Sequence, residues 1–464
     1  MLIMSNPVNP VKRLSFMSTI VALSTPRGRG ALAVIRLSGP KAIAIAKTLG
    51  DFDDVKPRQA RLTTLKRPSD LEILDQVLLT CFPAPHSLTG ENVVEISCHG
   101  SPAVVRGIVD ATLELGAVLA GPGEFTLRAL SNGKINLAQA EAIRDLIAAQ
   151  TDAAVKQASR QLNGELSNAL GPFKEKLIEV IVLLESALEF VEEDIPAPRV
   201  SEIDRALATV SSGVVKLSES YSAGRLLQEG IKVAITGRPN VGKSSLFNSL
   251  VQRERAIVTD IPGTTRDTLS EAIDLDGIPV ILTDTAGLRE TTDGIETLGI
   301  ERTRRAMGDS DLVLVVLDGS TDLGPSDQEL ITQTASARRL VVLNKSDLPT
   351  FNGAPCCTEE LETINVSART GEGLASLRAA ILASLNSNGM EDGSLLITNV
   401  RHYDLLCSTQ REIEAARAAL RDRHSEELVL VPLHNALRFL GQITGETTTE
   451  DILSEIFATF CIGK

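Results

Sequence analysis

Hydrophobic and polar positions change their spacing along this chain, and those changes divide it into regions. From about residue 19 to 120, short β-rich runs alternate with a few helical stretches, and residues 93–98 are among the clearest strands. In that strand Val94 and Ile96 share one face and Glu95 falls on the other, because successive side chains of a strand point to opposite faces. The alternation predicts a mixed α+β domain in this region of the chain.

Helical spacing dominates after a glycine–proline break at residues 121–123. Apolar residues recur every three or four positions, as on one face of an amphipathic helix. The stripes are Val155, Ala158, Leu162 and Leu166; Leu177, Ile181, Leu184 and Leu188; Ile203, Leu207, Val210, Val214 and Leu217; Leu406, Ile413, Ala416 and Leu420; Leu433, Leu437 and Leu440. Each apolar face needs a partner, so we expect the helices on both sides of the central region to form one bundle. Two separate bundles are the alternative.

The central region, residues 228–385, alternates strands with helices. Strands are predicted near residues 231, 280, 312, 340 and 364. Strands that alternate with helices in this way favour a mostly parallel sheet with helices on both faces.

The first of these strands leads into a phosphate-binding loop, residues 237–244, and a helix follows. Such a loop directs backbone N–H groups and the positive end of the helix dipole at a phosphate. Lys243 is expected to reach the β- and γ-phosphates and Ser244 to ligate Mg²⁺. The alternative is a glycine-containing turn without a ligand.

Four further motifs follow in the order that a guanine-nucleotide domain needs: Thr264-Thr265, residues 284–287, residues 344–347 and Ser367-Ala368. Asp284 is placed to reach Mg²⁺ through water, and Thr265 to ligate it only while the γ-phosphate is present. The carboxylate of Asp347 can accept hydrogen bonds from the ring N–H and the amine of guanine, a pairing that adenine cannot make. The sequence therefore predicts GTP binding and hydrolysis.

The predicted GTP-binding residues share these five motifs and the loop before Thr265. They are Asn240, Val241, Gly242, Lys243, Ser244, Ser245, Thr259, Asp260, Ile261, Pro262, Gly263, Thr264, Thr265, Asp284, Thr285, Ala286, Gly287, Asn344, Lys345, Asp347, Ser367 and Ala368. Lys243 is also predicted to be catalytic.

Composition narrows the choice of partners and compartment. The 464 residues suggest about three domains, and the net charge of −14 argues against wide electrostatic coating of nucleic acid. Six cysteines without a C-x-x-C pair indicate neither a zinc ribbon nor a disulfide framework, as expected in a reducing cytoplasm. No apolar run reaches the roughly 18 residues of a membrane span. Residues 1–18 are expected to be a disordered tail, or Met17 the true start.

With these motifs placed, the chain resembles the MnmE (TrmE) family, among the TrmE-Era-EngA-YihA-Septin-like GTPases. The resemblance runs from about residue 19 to the end. It depends on residues 25–30, 121–126, 136–143, 263–267, 284–289 and 460–464.

The resemblance implies a protein of three domains. The fold class is an α/β P-loop GTPase domain inserted into an all-α helical domain, preceded by an α+β folate-binding-like N-terminal domain. The implied boundaries are 19–136 for the tetrahydrofolate-binding and dimerisation domain, 137–227 for the first segment of the helical domain, 228–385 for the GTPase domain and 386–464 for the second helical segment.

The resemblance also implies a function. A homodimer would act with the flavoprotein MnmG (GidA), as a heterotetramer, on tRNA. It would add a carboxymethylaminomethyl or aminomethyl group at C5 of the wobble uridine, with a one-carbon unit from 5-formyltetrahydrofolate or another tetrahydrofolate derivative. The alternatives are a ribosome-assembly or regulatory GTPase switch and a folate enzyme whose GTPase domain is only structural. A single phosphate-binding loop and an acidic balance count against the switch.

Position 288 is Leu, which cannot orient the attacking water, so catalytic help must come from elsewhere. The resemblance implies K⁺ in that role. Its implied ligands are Asn240, Thr259, Ile261 and Thr264. Glu296 would orient water, although Glu290, Asp293 and Glu301 lie nearby in the sequence and all four could be solvated charges.

The resemblance places folate on four residues: Arg36, Glu95, Lys134 and Lys464. A carboxylate suits the pterin and a cation suits the glutamate tail of folate, while the alternative is that they are solvated surface residues. Cys461 resembles a family cysteine near the C-terminus and is a candidate for a catalytic role; the alternative is a small buried hydrophobe.

Overall fold

The computed structural model describes residues 17–54, 56–189, 197–253, 255–257, 269–284, 308–352, 363–384, 394–448 and 450–463. The chain divides into two compact units. The first consists of Met1–Arg144, Gln161–Ser211 and Ser408–Lys464, and the second of Asp145–Arg160 and Ser212–Cys407.

A six-stranded sheet forms the N-terminal region of the first unit. Its strands are β1 (Ile20–Leu23), β2 (Leu32–Ser38), β3 (Arg61–Lys66), β4 (Ile73–Phe82), β5 (Val93–His99) and β6 (Val118–Leu119), in the order β3-β4-β5-β2-β1-β6. Helices α1 (Ala42–Gly50) and α2 (Pro102–Glu114) share an apolar core with this sheet. The predicted face of β5 is confirmed, because Val94, Ile96 and Cys98 are buried while Glu95 is half-buried.

Helices make up the rest of the first unit. They are α3 (Glu124–Ser131), most of α4 (Leu137–Ala148), α6 (Glu165–Glu189), the beginning of α7 (Ala197–Glu219), most of α12 (Val400–Arg421), α13 (Glu426–Thr444) and α14 (Glu450–Ala458). Early and late segments pack together here: Lys174 donates to Thr444 Oγ1 at 2.8 Å, and Arg417 Nε donates to Asp204 Oδ1 at 2.9 Å. Within this unit the single-bundle prediction is confirmed.

The second unit contains a seven-stranded sheet. Its strands are β7 (Ile231–Thr236), β8 (Arg255–Ile257), β9 (Leu269–Leu275), β10 (Ile278–Asp284), β11 (Leu312–Asp318), β12 (Arg339–Asn344) and β13 (Thr363–Asn365), in the order β13-β12-β11-β7-β10-β9-β8. The five strands predicted from the sequence are the five that pair in parallel. Strands β8 and β9, which the sequence analysis missed, extend the sheet in antiparallel fashion.

The helices of this unit are α8 (Tyr221–Glu229), α9 (Lys243–Arg253), α10 (Pro325–Gln333), α11 (Leu374–Ser384) and most of α5 (Asp152–Leu162). Leu246, Val280 and Leu314 are among the fully buried residues of its main core. The chain therefore joins an α/β P-loop domain, an all-α region and an α+β N-terminal region, as the fold-class prediction states.

One predicted helical stripe is broken in the structure. Helix α5 ends at Leu162 and Leu166 belongs to α6, because Gly164 adopts a left-handed conformation with φ of 85°. Val155, at the start of the same stripe, is 41% exposed. Leu162 and Leu166 are four positions apart and both apolar, but they belong to different helices. The prediction of one helix there was wrong.

Among the described residues, no helix combines the length and the apolar character needed to cross a bilayer.

Candidate nucleotide-binding site

The phosphate-binding loop runs between the end of β7 and the start of α9. Asn240 and Gly242 have positive φ values of 64° and 96°. A Cβ atom on Gly242 would lie 2.2 Å from Asn344 Nδ2, and one on Gly237 would lie 2.3 Å from the carbonyl oxygen of Val316. Since no side chain fits at either glycine, the loop is held tightly against β11 and the end of β12, as a phosphate cradle requires.

The reactive side chains of the loop converge at the carboxyl ends of two neighbouring strands. Lys243 Nζ donates to the carbonyl oxygen of Arg238 at 2.7 Å, and Ser244 Oγ donates to Asp284 Oδ2 at 2.8 Å. Asp284 is 1% exposed and ends β10, which pairs in parallel with β7. A hydroxyl and a carboxylate are hard oxygen donors, so this set fits Mg²⁺.

Clustered metal-binding side chains are absent from the described residues: no group of three or more His, Cys, Asp or Glu there could hold a metal ion. A Mg²⁺ ion near Ser244 would therefore need phosphate or water oxygens to complete its shell, as Mg²⁺ at nucleotide sites commonly does.

Asn344 connects three segments of the site. Its Nδ2 donates to the carbonyl oxygen of Val241 at 2.8 Å, and its Oδ1 accepts the backbone N–H of Ala368 at 3.0 Å. The residue is 2% exposed. Both ends of the amide are used, so Asn344 fixes the phosphate-binding loop relative to the segment that follows β13.

Asp347 presents a carboxylate beside these groups. Ser367 Oγ donates to Asp347 Oδ1 at 2.7 Å, and Arg369 Nη2 lies 3.0 Å from Asp347 Oδ2. The hydrogen bond from Ser367, assisted by the charge of Arg369, lowers the pKa of Asp347. The group is therefore ionised at neutral pH and able to accept the two N–H groups on one edge of guanine.

Lys345, next to Asn344, forms an ion pair with Asp318. Its Nζ lies 2.5 Å from Asp318 Oδ2 at the end of β11. Burial would raise the pKa of Asp318, but hydrogen bonds from Lys345 and Ser320 outweigh burial and lower it. Lys345 is thus fixed by an ionised carboxylate.

Much of the predicted site therefore comes together, although its role as a ligand site stays a prediction. Ser245 follows Ser244 in the first turn of α9. Other predicted site residues lie outside the described ranges: Thr259, Asp260, Ile261, Pro262, Gly263, Thr264, Thr265, Thr285, Ala286, Gly287, Glu296 and Lys464, together with the alternatives Glu290, Asp293 and Glu301.

The candidate folate residues that the structure describes, Arg36, Glu95 and Lys134, lie in the first unit. Arg36 and Glu95 face each other across β2 and β5, and Arg36 donates to Glu95 Oε1 through Nε at 3.0 Å and Nη2 at 2.8 Å. Arg36 Nη1 also donates to the carbonyl oxygen of Gly463 at 3.4 Å, and Ser24 Oγ donates to the same oxygen at 2.9 Å. The residue before Lys464 thus lies beside this ion pair.

Two glycines allow residues 457–463 to pack closely against the N-terminal region. Gly463 has φ of 97°, and a Cβ there would lie 2.2 Å from the carbonyl oxygen of Leu23. Gly123 has φ of 61°, and its Cβ would lie 2.9 Å from atoms of Phe457 and Phe460. Gly463 therefore packs on β1, and Gly123 packs on residues 457–460 and donates its N–H to the carbonyl oxygen of Cys461 at 3.3 Å.

Lys134 and Cys461 differ from the other candidates. The Cε of Lys134 packs 3.1 Å from where a Cβ on Gly90 would lie, and within the described residues no hydrogen bond or ion pair joins Lys134 to Arg36 or Glu95. Cys461 is exposed, so the alternative of a buried small hydrophobe was wrong.

Sequence reasoning missed one set of contacts at the site. Arg238 of the phosphate-binding loop pairs with Asp327 in the first turn of α10, at 2.5 Å between Nε and Oδ1. No spacing rule connects positions so far apart in the sequence, so only the fold brings them together.

Comparison with known proteins decides the family. A profile of the MnmE helical domain matches residues 137–461, and a profile of the GTP-binding protein TrmE N-terminus matches residues 19–134. The chain belongs to the MnmE family of tRNA modification GTPases. The resemblance inferred from the motifs is thereby confirmed.

Individual family members match almost end to end. The tRNA modification GTPase MnmE of Koribacter versatilis is 44% identical over 451 residues, which cover 96% of this chain and 99% of that protein. The MnmE of Aquifex aeolicus is 41% identical over 450 residues, with the same two shares. Among solved structures, Aquifex aeolicus Era bound to GDP and AlF4⁻ is 25% identical, covers 39% of this chain and 66% of that chain, and has a TM-score of 0.28.

Proposed function

We propose that this protein hydrolyses GTP in order to drive modification of the wobble uridine of tRNA. As a member of the MnmE family it is a GTPase. The proposed product carries a carboxymethylaminomethyl or aminomethyl group at C5, built with a tetrahydrofolate one-carbon unit and the flavoprotein MnmG (GidA). The observation that supports the nucleotide-binding role is that Asn344 joins the loop of Lys243 and Ser244 to the segment that holds the Asp347–Ser367 pair.

The described residues have separable roles in this proposal. The loop N–H groups and Lys243 bind the phosphates, and Ser244 with Asp284 holds Mg²⁺, which neutralises charge on the phosphates when it is bound. Asp347 selects guanine, because its carboxylate is kept ionised by Ser367. Thr265, Gly287 and Glu296 are proposed to complete the site around the γ-phosphate.

A potassium ion is proposed as the electrostatic aid to hydrolysis. Asn240 is the one proposed ligand inside the described ranges; Thr259, Ile261 and Thr264 lie outside them. Its side chain carries a carbonyl oxygen, the kind of donor that suits a hard monovalent cation, and it stands in the phosphate-binding loop.

GTP turnover should rise when K⁺ replaces Na⁺ at constant ionic strength, and Asn240→Ala should abolish that rise. Equal rates in the two salts would remove potassium from the proposal and leave GTP hydrolysis intact.

Folate is proposed to bind beside the Arg36–Glu95 pair. A half-buried guanidinium and a carboxylate provide the charges that a pterin and a glutamate tail need. Isothermal titration of 5-formyltetrahydrofolate into the purified chain should show binding that Arg36→Ala weakens. Arg67→Ala, which removes a half-buried arginine paired with Asp70 and Glu72, is the matched control. Absence of heat with the unaltered chain would rule the site out.

The domain boundaries given from the sequence, the homodimer and the heterotetramer with MnmG belong to the same proposal. Family membership is what supports them.

A further inference from the structure

Arg238, the second residue of the phosphate-binding loop, is paired with a residue far along the chain. Its Nε lies 2.5 Å from Asp327 Oδ1, and the two atoms pair as ions outside hydrogen-bond geometry. The side chain of Asp327 is 0% exposed and that of Arg238 is 33% exposed. A buried carboxylate needs a partner, because leaving its charge uncompensated costs far more than the pair gains. Asp327 is therefore committed to Arg238.

The second oxygen of Asp327 fixes the direction of the carboxylate. Oδ2 accepts the backbone N–H of Gly324 at 2.9 Å, at the N-terminus of α10. A Cβ on Gly324 would lie 3.2 Å from Arg238 Nη1, so the guanidinium lies across this terminus. With a partner on each oxygen, the carboxylate cannot rotate away, and α10 holds Arg238 in place.

Arg238 in turn contacts the lysine that is proposed to bind the phosphates. Its carbonyl oxygen accepts a hydrogen bond from Lys243 Nζ at 2.7 Å. On its other side, Gly237 packs so closely on Val316 that no Cβ would fit. The first residues of the loop are thus clamped between β11 and α10, and the position of the Arg238 carbonyl sets where the Lys243 ammonium lies.

We propose that Asp327 is a positioning residue for GTP binding: it holds Arg238, and Arg238 keeps the loop and Lys243 in the geometry that receives the phosphates. The proposal rests on the GTPase function proposed above. Without the clamp, the loop must be ordered when the nucleotide binds, and ordering costs affinity. The loss is expected to fall on binding more than on the chemical step, because bound phosphates would themselves order the loop and Lys243 before the chemical step.

The test uses the purified full chain and a double-variant cycle. Arg238→Met keeps the length of the side chain and removes the charge, and Asp327→Asn removes the charge of its partner. Each is expected to raise the KM for GTP about tenfold and to change kcat much less. The double variant should be no worse than the worse single variant, since the two residues act as a unit. Arg238→Lys should restore some of the lost affinity.

Glu329→Gln is the matched control, because Glu329 stands on the same helix and, within the described ranges, accepts a hydrogen bond from the exposed Gln333. Its KM should equal that of the unaltered chain. An unchanged KM in Arg238→Met, which leaves the α10 cap intact, would overturn the proposal, and so would additive effects in the double variant.

Thermal unfolding separates positioning from a merely structural role. If Asp327→Asn lowers the Tm while GDP still raises it as much as in the unaltered chain, Asp327 only stabilises α10 and the proposal is overturned. A reduced GDP-induced shift is the expected result. Failure of the unaltered chain to hydrolyse GTP would overturn the proposed function and this inference together, whereas a GTPase with normal variants would overturn the inference alone.

Discussion

At the scale of single residues, Arg128 in the first unit is a fully buried arginine with several charged partners. The side chain of Arg128 is 0% exposed. Its Nη2 lies 2.7 Å from Glu124 Oε1, and its Nη1 lies 3.0 Å from Glu91 Oε2. It also donates to the carbonyl oxygen of Ser18 at 2.8 Å. The arginine thereby connects the glycine–proline motif to the loop before β5 and to the segment that enters β1.

Arg128→Met is expected to destabilise the N-terminal domain by about 3–5 kcal/mol, because it leaves two carboxylates without their buried partner. Urea denaturation followed by circular dichroism would measure the change. Arg67→Met breaks an exposed ion pair with Asp70 and Glu72 and should have little effect. An equally small effect of Arg128→Met would contradict the stabilising role of Arg128.

Asp347 is proposed to select guanine over other bases. Asp347→Asn presents an amide where guanine needs a carboxylate, so the affinity for GTP should fall roughly 100-fold or more and that for xanthosine triphosphate should rise. Competition with a fluorescent nucleotide measures both. Asp322→Asn, on an exposed loop of the same unit, is the control. Unchanged selectivity would show that the base lies elsewhere.

The same carboxylate predicts a pH dependence. The hydrogen bond from Ser367 and the charge of Arg369 lower the pKa of Asp347 in the folded chain, so Asp347 stays ionised even within the ordinary Asp range. Its contribution to folding is present above the unfolded pKa, near 4, and is lost as pH falls through the lower folded value. Protonation of Asp347 should therefore cause no loss of GDP affinity between about pH 5 and 8. A loss that Asp347→Asn removes would contradict the lowered pKa.

At the scale of elements, the β9–β10 hairpin is joined to α5 within the second unit. Thr151 Oγ1 donates to the carbonyl oxygen of Gly277 at 2.7 Å, and a Cβ on Gly277 would lie 2.7 Å from the Cβ of Ala153. Asp276, beside it, forms an ion pair with Arg378 of α11. Because β10 ends at Asp284, the hairpin extends from the proposed Mg²⁺ site to α11.

Gly277→Ala should destabilise the second unit by about 1–3 kcal/mol, since Gly277 has φ of 89° and no space for a methyl group. Thermal unfolding monitors the change. Gly308→Ala meets nothing within 4 Å and serves as the control. Equal thermal unfolding midpoints for Gly277→Ala and Gly308→Ala would mean that the hairpin tip is not tightly packed.

What the sequence could predict at this scale follows from how local each signal is. The phosphate-binding loop and the guanine motif are contiguous runs, so their identity needed no fold. Strand β8 has only three residues, and β9, with the sequence LSEAIDL, carries charges among its apolar positions. The Arg238–Asp327 pair joins distant regions of the chain. These features arise from tertiary packing, which a window of sequence does not contain.

At the scale of the whole molecule, motif order and changes in hydrophobic period predicted a GTPase domain flanked by helices, and the resemblance in segments such as residues 121–126 and 460–464 indicated the family and the three-domain fold class. Profiles over residues 19–134 and 137–461 confirm the family. The folate and potassium roles came from the resemblance rather than from local chemistry, since Arg36 and Glu95 alone would also suit a structural ion pair. The folate titration and the comparison of GTP turnover in K⁺ and Na⁺ test these two roles.

The central claim, that GTP hydrolysis by this chain supports wobble-uridine modification, is tested most directly by the nucleoside composition of tRNA. Bulk tRNA from cells that lack the chain would be digested and analysed by liquid chromatography and mass spectrometry. The C5-modified uridine should disappear, return with the unaltered chain and fail to return with Lys243→Ala. An unchanged nucleoside profile in cells without the chain would contradict the account.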